Sequence, residues 1–276
     1  MKKILYITDA VKLNIQRLDF ACFLCNLTDS KLTGVFLENR EHETRSPAFI
    51  REKAISGEIA DSPEQLKETL SREHIREFKD ACELRGVNCA IHQDAGAPLH
   101  EVISESRYAD VLVIDSSTSF TENRECPPTK FVQEVLAAAE CPVVLPPDSF
   151  DGIDEIIFTY DGSPSSIFAI KQFAYLFPEM EDRKVIVFDV VPPGKKIGKS
   201  QHKLQEWLNT HYSRNEILIR EDERTRAQLL EYLLGRKNAF VVMGAFGRGL
   251  ISGMLSPSHA DPVVKIISLP IFITHR

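Results

Sequence analysis

The residues best suited to chemistry lie in the stretch VVMGAFGRGLISGMLSPSHADPVVKII, Val241 to Ile267. An apolar run, Phe240 to Met243, stops at Gly244, and Gly247, Gly249 and Gly253 follow before Ser256, Pro257 and Ser258. A second apolar-periodic run starts near Ala260. This reads as a buried strand, a glycine loop and a helix N-terminus. Glycines let the backbone approach a ligand closely. The free N–H groups and dipole of a first helical turn favour an anion, phosphate above all. Ser258 suits the N-cap, with Asp261 three residues on. The chemistry expected here is phosphate binding, and the bland alternative is a glycine-rich surface connection.

Two better-known phosphate patterns do not fit. No Gly-Lys-Ser/Thr follows the glycines, and Gly-x-Gly-x-x-Gly is absent from the stretch. The spacing is Gly244-x-x-Gly247, nine residues, then Pro257-Ser258.

Such a loop needs elements to hold it, and the chain supplies them twice. Lys3-Ile4-Leu5-Tyr6-Ile7-Thr8-Asp9 parallels Glu155-Ile156-Ile157-Phe158-Thr159-Tyr160-Asp161. Each is an apolar strand ending in aspartate and leading into an amphipathic helix. Each repeat continues with a second strand, Leu32–Leu37 and Lys184–Val191. The repeats also end alike, in Cys141-Pro142-Val143-Val144-Leu145 and Leu269-Pro270-Ile271-Phe272-Ile273. In the first repeat, helices are expected over 63–84, 98–108 and 129–139, and strands over 87–92 and 111–115. In the second, helices are expected over 164–176, 202–211 and 224–234, and strands over 216–220 and 240–243. Alternating strands and helices imply a mostly parallel sheet covered on both faces. Ligands of such sheets sit beyond the carboxyl ends of the strands, where Asp161, Val190 and Gly244 all fall.

The Gly-x-x-Gly spacing, the Asp161-Gly162-Ser163 opening and the repeat over nearly the whole chain resemble the universal stress protein family. Members have units of about five parallel strands, many with two units in one chain. The resemblance implies two tandem Rossmann-like α/β units, each a five-stranded mostly parallel sheet with helices on both faces, over residues 1–148 and 152–276. It places ribose and adenine contacts at Tyr160 and Asp161 and an adenine-edge backbone contact at Val190. It places phosphate contacts at Met243, Gly244, Phe246 and Gly247, with Ser258, His259 and Ala260 at the start of the last helix. Arg248 is placed to reach a terminal phosphate. The implied ligand is ATP, or AMP or ADP, with Mg²⁺ accompanying it. The family has glycine where this chain has Pro257, which offers no N–H.

The first repeat departs further. Ala10-Val11 replaces Gly-Ser after Asp9, and SSTSFTENRECPPTK follows Asp115 without a glycine. The carboxylates of Asp115 and Glu122 or Glu125 oppose a phosphate there. This half is expected to bind no nucleotide and to serve as a built-in dimer partner. The chain then acts as an intramolecular pseudo-dimer or pairs with a second copy. Individual side chains have plainer readings too. Asp161 suits capping of the following turn, Arg248 a solvated loop, and His259 an ordinary first-turn position. Lys195 and Lys196 belong to a basic loop that suits solvent or a lid.

Composition narrows the function classes. The 276 residues are 43% hydrophobic and 26% charged, with a net charge of −7. Residues 1–150 carry 17 Lys and Arg against 25 Asp and Glu, leaving the remainder near +1. That balance speaks against a nucleic-acid binder, and no run is apolar enough for a membrane span. The N-terminus MKKILYITDA reads as a first strand and not as a signal peptide, so the cytoplasm is the expected location. All six cysteines fall in the first half. Cys22 and Cys25 form a C-x-x-C, but mid-helix apolar flanks favour buried structural thiols. No general base stands beside the glycine loop, so hydrolysis is expected to be slow or absent. The competing classes are a nucleotide-free interaction module and an adenylating or flavoprotein-type enzyme of related fold.

Overall fold

Ile4–Ile7 and Val111–Ile114 are apolar without alternation, which marks strands covered on both faces. The computed structural model describes residues 1–39, 63–121, 125–194, 199–244 and 268–274, and there these strands are fully buried. The chain divides into two compact units, Lys2–Glu140 and Cys141–Arg276.

In the first unit the order is β1 (Lys3–Asp9), α1 (Ile15–Thr28), β2 (Lys31–Asn39), α2 (Pro63–Leu84), β3 (Cys89–Gly96), α3 (Pro98–Ser106), β4 (Val111–Ile114) and α4 (Lys130–Ala138). The strands lie in the order β3-β2-β1-β4 and pair in parallel. Helix α2 begins at Pro63, a residue whose fixed φ suits the first helical position. Gly86, at φ +68°, ends its turn.

The second unit holds β5 (Val143–Leu145), β6 (Glu155–Tyr160), α5 (Pro164–Leu176), β7 (Lys184–Val191), α6 (Lys199–His211), β8 (Arg214–Glu221), α7 (Thr225–Leu234), β9 (Ala239–Met243) and β10 (Ile271–Ile273). The order β10-β9-β6-β7-β8 is parallel throughout. Strand β5, which closes the first repeat in sequence, runs antiparallel to β10, with Val143 opposite Ile273 and Leu145 opposite Ile271. The expected strand over 87–92 lies later, at Cys89–Gly96, because the turn after α2 takes up Gly86 and Val87.

Aromatic rings fill both cores. In the second unit Phe173 packs against Phe158, Phe177, Phe240 and Phe272 at 4.9–5.8 Å between ring centres. In the first, Phe78 of α2 meets Tyr6 at 5.8 Å and Phe36 edge-on at 5.5 Å. That placement depends on Gly34 of β2, where a Cβ would stand 2.8 Å from the Phe78 ring and 3.0 Å from Phe36. Gly34→Ala is therefore expected to destabilise the protein by about 1–3 kcal/mol through overpacking. Urea unfolding would show it. The penalty should shrink in a Phe78→Leu background, because the ring that the new methyl strikes is gone; an undiminished penalty would point to backbone strain instead.

Candidate functional site

Strand order reverses beside β6, because β7 lies on one side and β9 on the other. Such a switch opens a crevice at the carboxyl ends of the strands. Register brings three of the expected positions to that edge. Phe158 pairs with Val242, so Tyr160 and Gly244 lie level two residues on. Tyr160 pairs with Asp189, which sets Val190 one residue beyond on β7. The Thr159 hydroxyl donates to the Val242 carbonyl at 3.1 Å and ties the two strands together near their ends.

Asp161 follows at the turn into α5. Its Oδ1 accepts the Ser163 N–H at 2.9 Å. The helix cap itself is Ser163, whose hydroxyl oxygen accepts the Ser166 N–H at 3.1 Å. Asp161 thus shapes the turn and Ser163 caps the helix, with Gly162 supplying φ +81°. Burial works against the charge on Asp161, yet the Ser163 hydroxyl and N–H outweigh it and hold the carboxyl below the usual aspartate range. The Asp161 side chain remains exposed. Tyr160 is different: it is buried, and its phenol has no hydrogen-bond partner among the described residues.

Gly244 turns out to be needed for packing. A Cβ there would lie 2.6 Å from the carbonyl carbon and oxygen of Ser165 and 2.8 Å from the Ser166 nitrogen. Those are backbone atoms of the first turn of α5, which cannot swing aside. Met243 is fully buried beneath this contact. Phe246, Gly247, Arg248, Ser258, His259 and Ala260 lie outside the described residues, as do Pro257, Lys195 and Lys196.

The first unit has the same switch, with β2 and β4 flanking β1. A cleft of about 410 Å³ opens there, lined by Asp9, Lys12, Asn14, Asp115 and Ser117 among others. Asp9 repeats the turn of Asp161, its Oδ1 accepting the Val11 N–H at 2.9 Å. Valine brings no hydroxyl, so burial dominates and pushes the Asp9 carboxyl up to about 6. Asp115, placed after β4 as Gly244 is after β9, is buried in a network. Its Oδ2 accepts from Arg17 Nε at 3.2 Å and Asn14 Nδ2 at 3.0 Å, and its Oδ1 from the Ser117 N–H and hydroxyl, both at 2.9 Å. Asp115 was expected to repel a phosphate; it also neutralises Arg17, a cation that could have met one. Arg17 and Asn14 were missed in the sequence. The available signal was a single arginine beside Leu18 in a helix whose other buried positions are mostly apolar.

No protein-family model matches the sequence. No curated protein matches it either. Solved structures do. A universal stress protein from Archaeoglobus fulgidus DSM 4304 superposes with a TM-score of 0.64 at 16% identity, over 99% of this chain and 98% of that one. A functionally unknown protein from Pseudomonas aeruginosa PAO1 gives 0.55 at 11%, over 100% and 92%. A putative universal stress protein from Pseudomonas aeruginosa UCBPP-PA14 gives 0.50 at 14%, over 100% and 93%. The fold is that of the universal stress proteins. Within the universal stress protein fold of this chain, each repeat ends its first strand in an aspartate that folds the next turn, and only the second follows it with Gly-Ser.

Two outcomes follow from these contacts. Gly244→Ala should lower the stability of the ligand-free protein by about 1–3 kcal/mol, since its methyl meets backbone; unfolding in urea without any nucleotide would measure this, and an unchanged midpoint would refute the packing role. Asp9→Asn should raise stability at neutral pH. Because burial pushes the folded carboxyl up to about 6, above the ordinary aspartate range near 4, proton uptake stabilises the wild type fully below about 4 and is lost as pH rises through 6. The variant's advantage should therefore be greatest above pH 6 and vanish near pH 4 in a series of denaturation curves. A gap independent of pH would contradict the assignment.

Proposed function

We propose that this chain is a tandem universal stress protein that binds one adenine nucleotide, ATP, ADP or AMP, at the carboxyl edge of its second unit. The observation that carries this reading is the meeting of Tyr160–Asp161, Val190 and Met243–Gly244 at one strand switch, directly before the glycine loop. The residues there suit a nucleoside. The exposed Asp161 carboxylate is an acceptor for ribose hydroxyls, and the buried Tyr160 phenol has hydrogen-bonding capacity that the described residues leave unused. The sequence from Gly244 to Ser258 supplies the glycines and the serine that this reading assigns to the phosphates. Mg²⁺ would travel with the nucleotide.

The first unit takes no nucleotide in this reading. Its Arg17 is committed to Asp115, and an added phosphate would face the Asp9 and Asp115 carboxylates. Its role is that of a partner for the second unit, as in a pseudo-dimer, with a further pairing between copies left to the edge strands. Nucleotide binding in a protein of the cytoplasm would then report energy state by favouring one conformation over another. Turnover is slow or absent, since no general base stands by the loop. Pro257 favours a second reading, an interaction module of the same fold that has lost its ligand, because proline withholds one N–H from the phosphates.

Calorimetry with magnesium and ATP, ADP or AMP separates the two. The expected result is one site per chain. Asp161→Asn keeps an acceptor for the Ser163 N–H and so should fold, while weakening binding by about tenfold through loss of a charged acceptor. Gly247→Val is preferable to a Gly244 variant for testing the loop, because Gly244 carries the packing described above. Absence of binding heat with all three nucleotides would leave the interaction module standing. Two sites per chain would overturn the assignment of the first unit.

A further inference from the structure

Gln201 stands in the first turn of α6, and its amide nitrogen donates to Asp189 Oδ2 at 2.7 Å. Both side chains are buried, at 8% and 4% exposure. A carboxylate accepts hydrogen bonds and donates none. It therefore holds the amide in one orientation, nitrogen towards Asp189 and oxygen away. That oxygen, Oε1, is shielded from solvent and has no partner among the described residues.

Its place in the fold gives that oxygen a use. Asp189 is the register partner of Tyr160 across β7 and β6, so the two side chains share one face of the sheet. Phe158, two residues before Tyr160, shares that face, and its ring lies 5.7 Å from that of Tyr212, just past the end of α6. This is the face that α6 covers. The Gln201 amide, Asp189 and Tyr160 are thus brought to the carboxyl end of β6 and β7, one residue short of Val190. The Tyr160 phenol is the second buried group there without a partner among the described residues. Tyr212, whose phenol is also unused, lies at the far end of α6 and away from this edge.

An amide oxygen only accepts, whereas a phenol rotates to donate or accept. Adenine presents an amino donor at C6 beside ring nitrogens that accept. Guanine and hypoxanthine present a carbonyl at C6 and an N–H at N1. A fixed amide oxygen suits the amino group and opposes the carbonyl, since two acceptors cannot pair. Resting on the reading of the second unit as a nucleotide site, we propose that Gln201 selects adenine there by accepting the C6 amino group on Oε1, with Asp189 as the positioning residue that keeps the amide from turning over. Tyr160 adds a hydrogen bond to a ring nitrogen but little selectivity, because its hydroxyl can reverse its role. Asp189→Asn removes the constraint. Asparagine offers both a donor and an acceptor, so Gln201 can then turn its nitrogen outward and meet a carbonyl.

The test is calorimetry on the full chain with magnesium and ATP, ITP or GTP. ITP is the decisive probe, since it differs from ATP only at C6 and N1. ITP and GTP should bind about ten- to a hundredfold more weakly than ATP, the penalty for two facing acceptors left without a proton. That comparison needs no variant, so it stands even where a variant folds poorly. Gln201→Met keeps the length of the side chain and removes the amide, and it should abolish the preference by weakening ATP. Asp189→Asn should narrow the ratio of ATP to ITP affinity, whereas loss of a merely structural aspartate would weaken both alike. Equal binding of ATP and ITP by the wild type would overturn this assignment and leave the nucleotide site standing. A preference that survives Gln201→Met would do the same. No binding of any of the three would remove the site and the assignment together.

Discussion

A parallel strand that hands the chain to a helix leaves, at the carboxyl edge, backbone groups that the sheet no longer pairs. Aspartate solves this in both repeats in the same way. Asp9 accepts the Val11 N–H and Asp161 the Ser163 N–H, each at 2.9 Å and each two residues on. The bond bends the chain out of the strand and into the next helix. The helix then returns over the sheet and covers the apolar face that parallel pairing demands. In the second unit the return is close enough that Gly244, on the neighbouring strand, must lack a side chain. The turn, the helix and the strand switch therefore stand or fall together.

The two repeats part company in what surrounds that turn. Behind Asp161 lie Gly162, with its positive φ, and Ser163, whose hydroxyl supports both the carboxylate and the helix. Behind Asp9 lie Ala10 and Val11, and the carboxyl is left to face burial with one N–H. The same divergence recurs one strand over. After β9 the chain has a glycine, and after β4 it has Asp115, fixed by four donors from Asn14, Arg17 and Ser117. A buried ion pair of this kind adds little net stability but is costly to break, about 3–5 kcal/mol when one partner is removed. In the first unit the corner beside the strand switch is thus held by internal contacts.

Much of this was legible from residue patterns, and the rest was hidden for physical reasons. The α5 limits, Pro164 and Leu176, follow from a cap, a proline and a helical period. The strand-ending aspartates follow from the repeat. Local pattern does not carry partners across the sheet, so the antiparallel seat of β5 on β10 was not visible in Val143–Leu145, whose three apolar residues suit any buried neighbour. Gly244 reads in the sequence as a residue kept bare for phosphate, and the structure adds a packing reason that the pattern does not carry, the backbone of Ser165 and Ser166 lying against it. In each case the missing information was a contact between elements distant in sequence.

The tyrosines of the two strand switches differ in how their phenols are satisfied. Tyr6 reaches the first cleft from β1, and its phenol donates to the Asn14 carbonyl at 2.9 Å. The side chain of Asn14 donates to Asp115, so Asn14 satisfies the phenol through its backbone carbonyl and the carboxylate through its amide. Tyr160 ends β6, is equally shielded, and finds no partner among the described residues. An unpaired buried hydroxyl costs about 1–3 kcal/mol. A corner built only for stability would gain by closing that bond, as the first unit has. The phenols of Tyr212 and Tyr232 in the same unit also lack a partner among the described residues, so what sets Tyr160 apart is its place at the strand switch and not the unused hydroxyl alone.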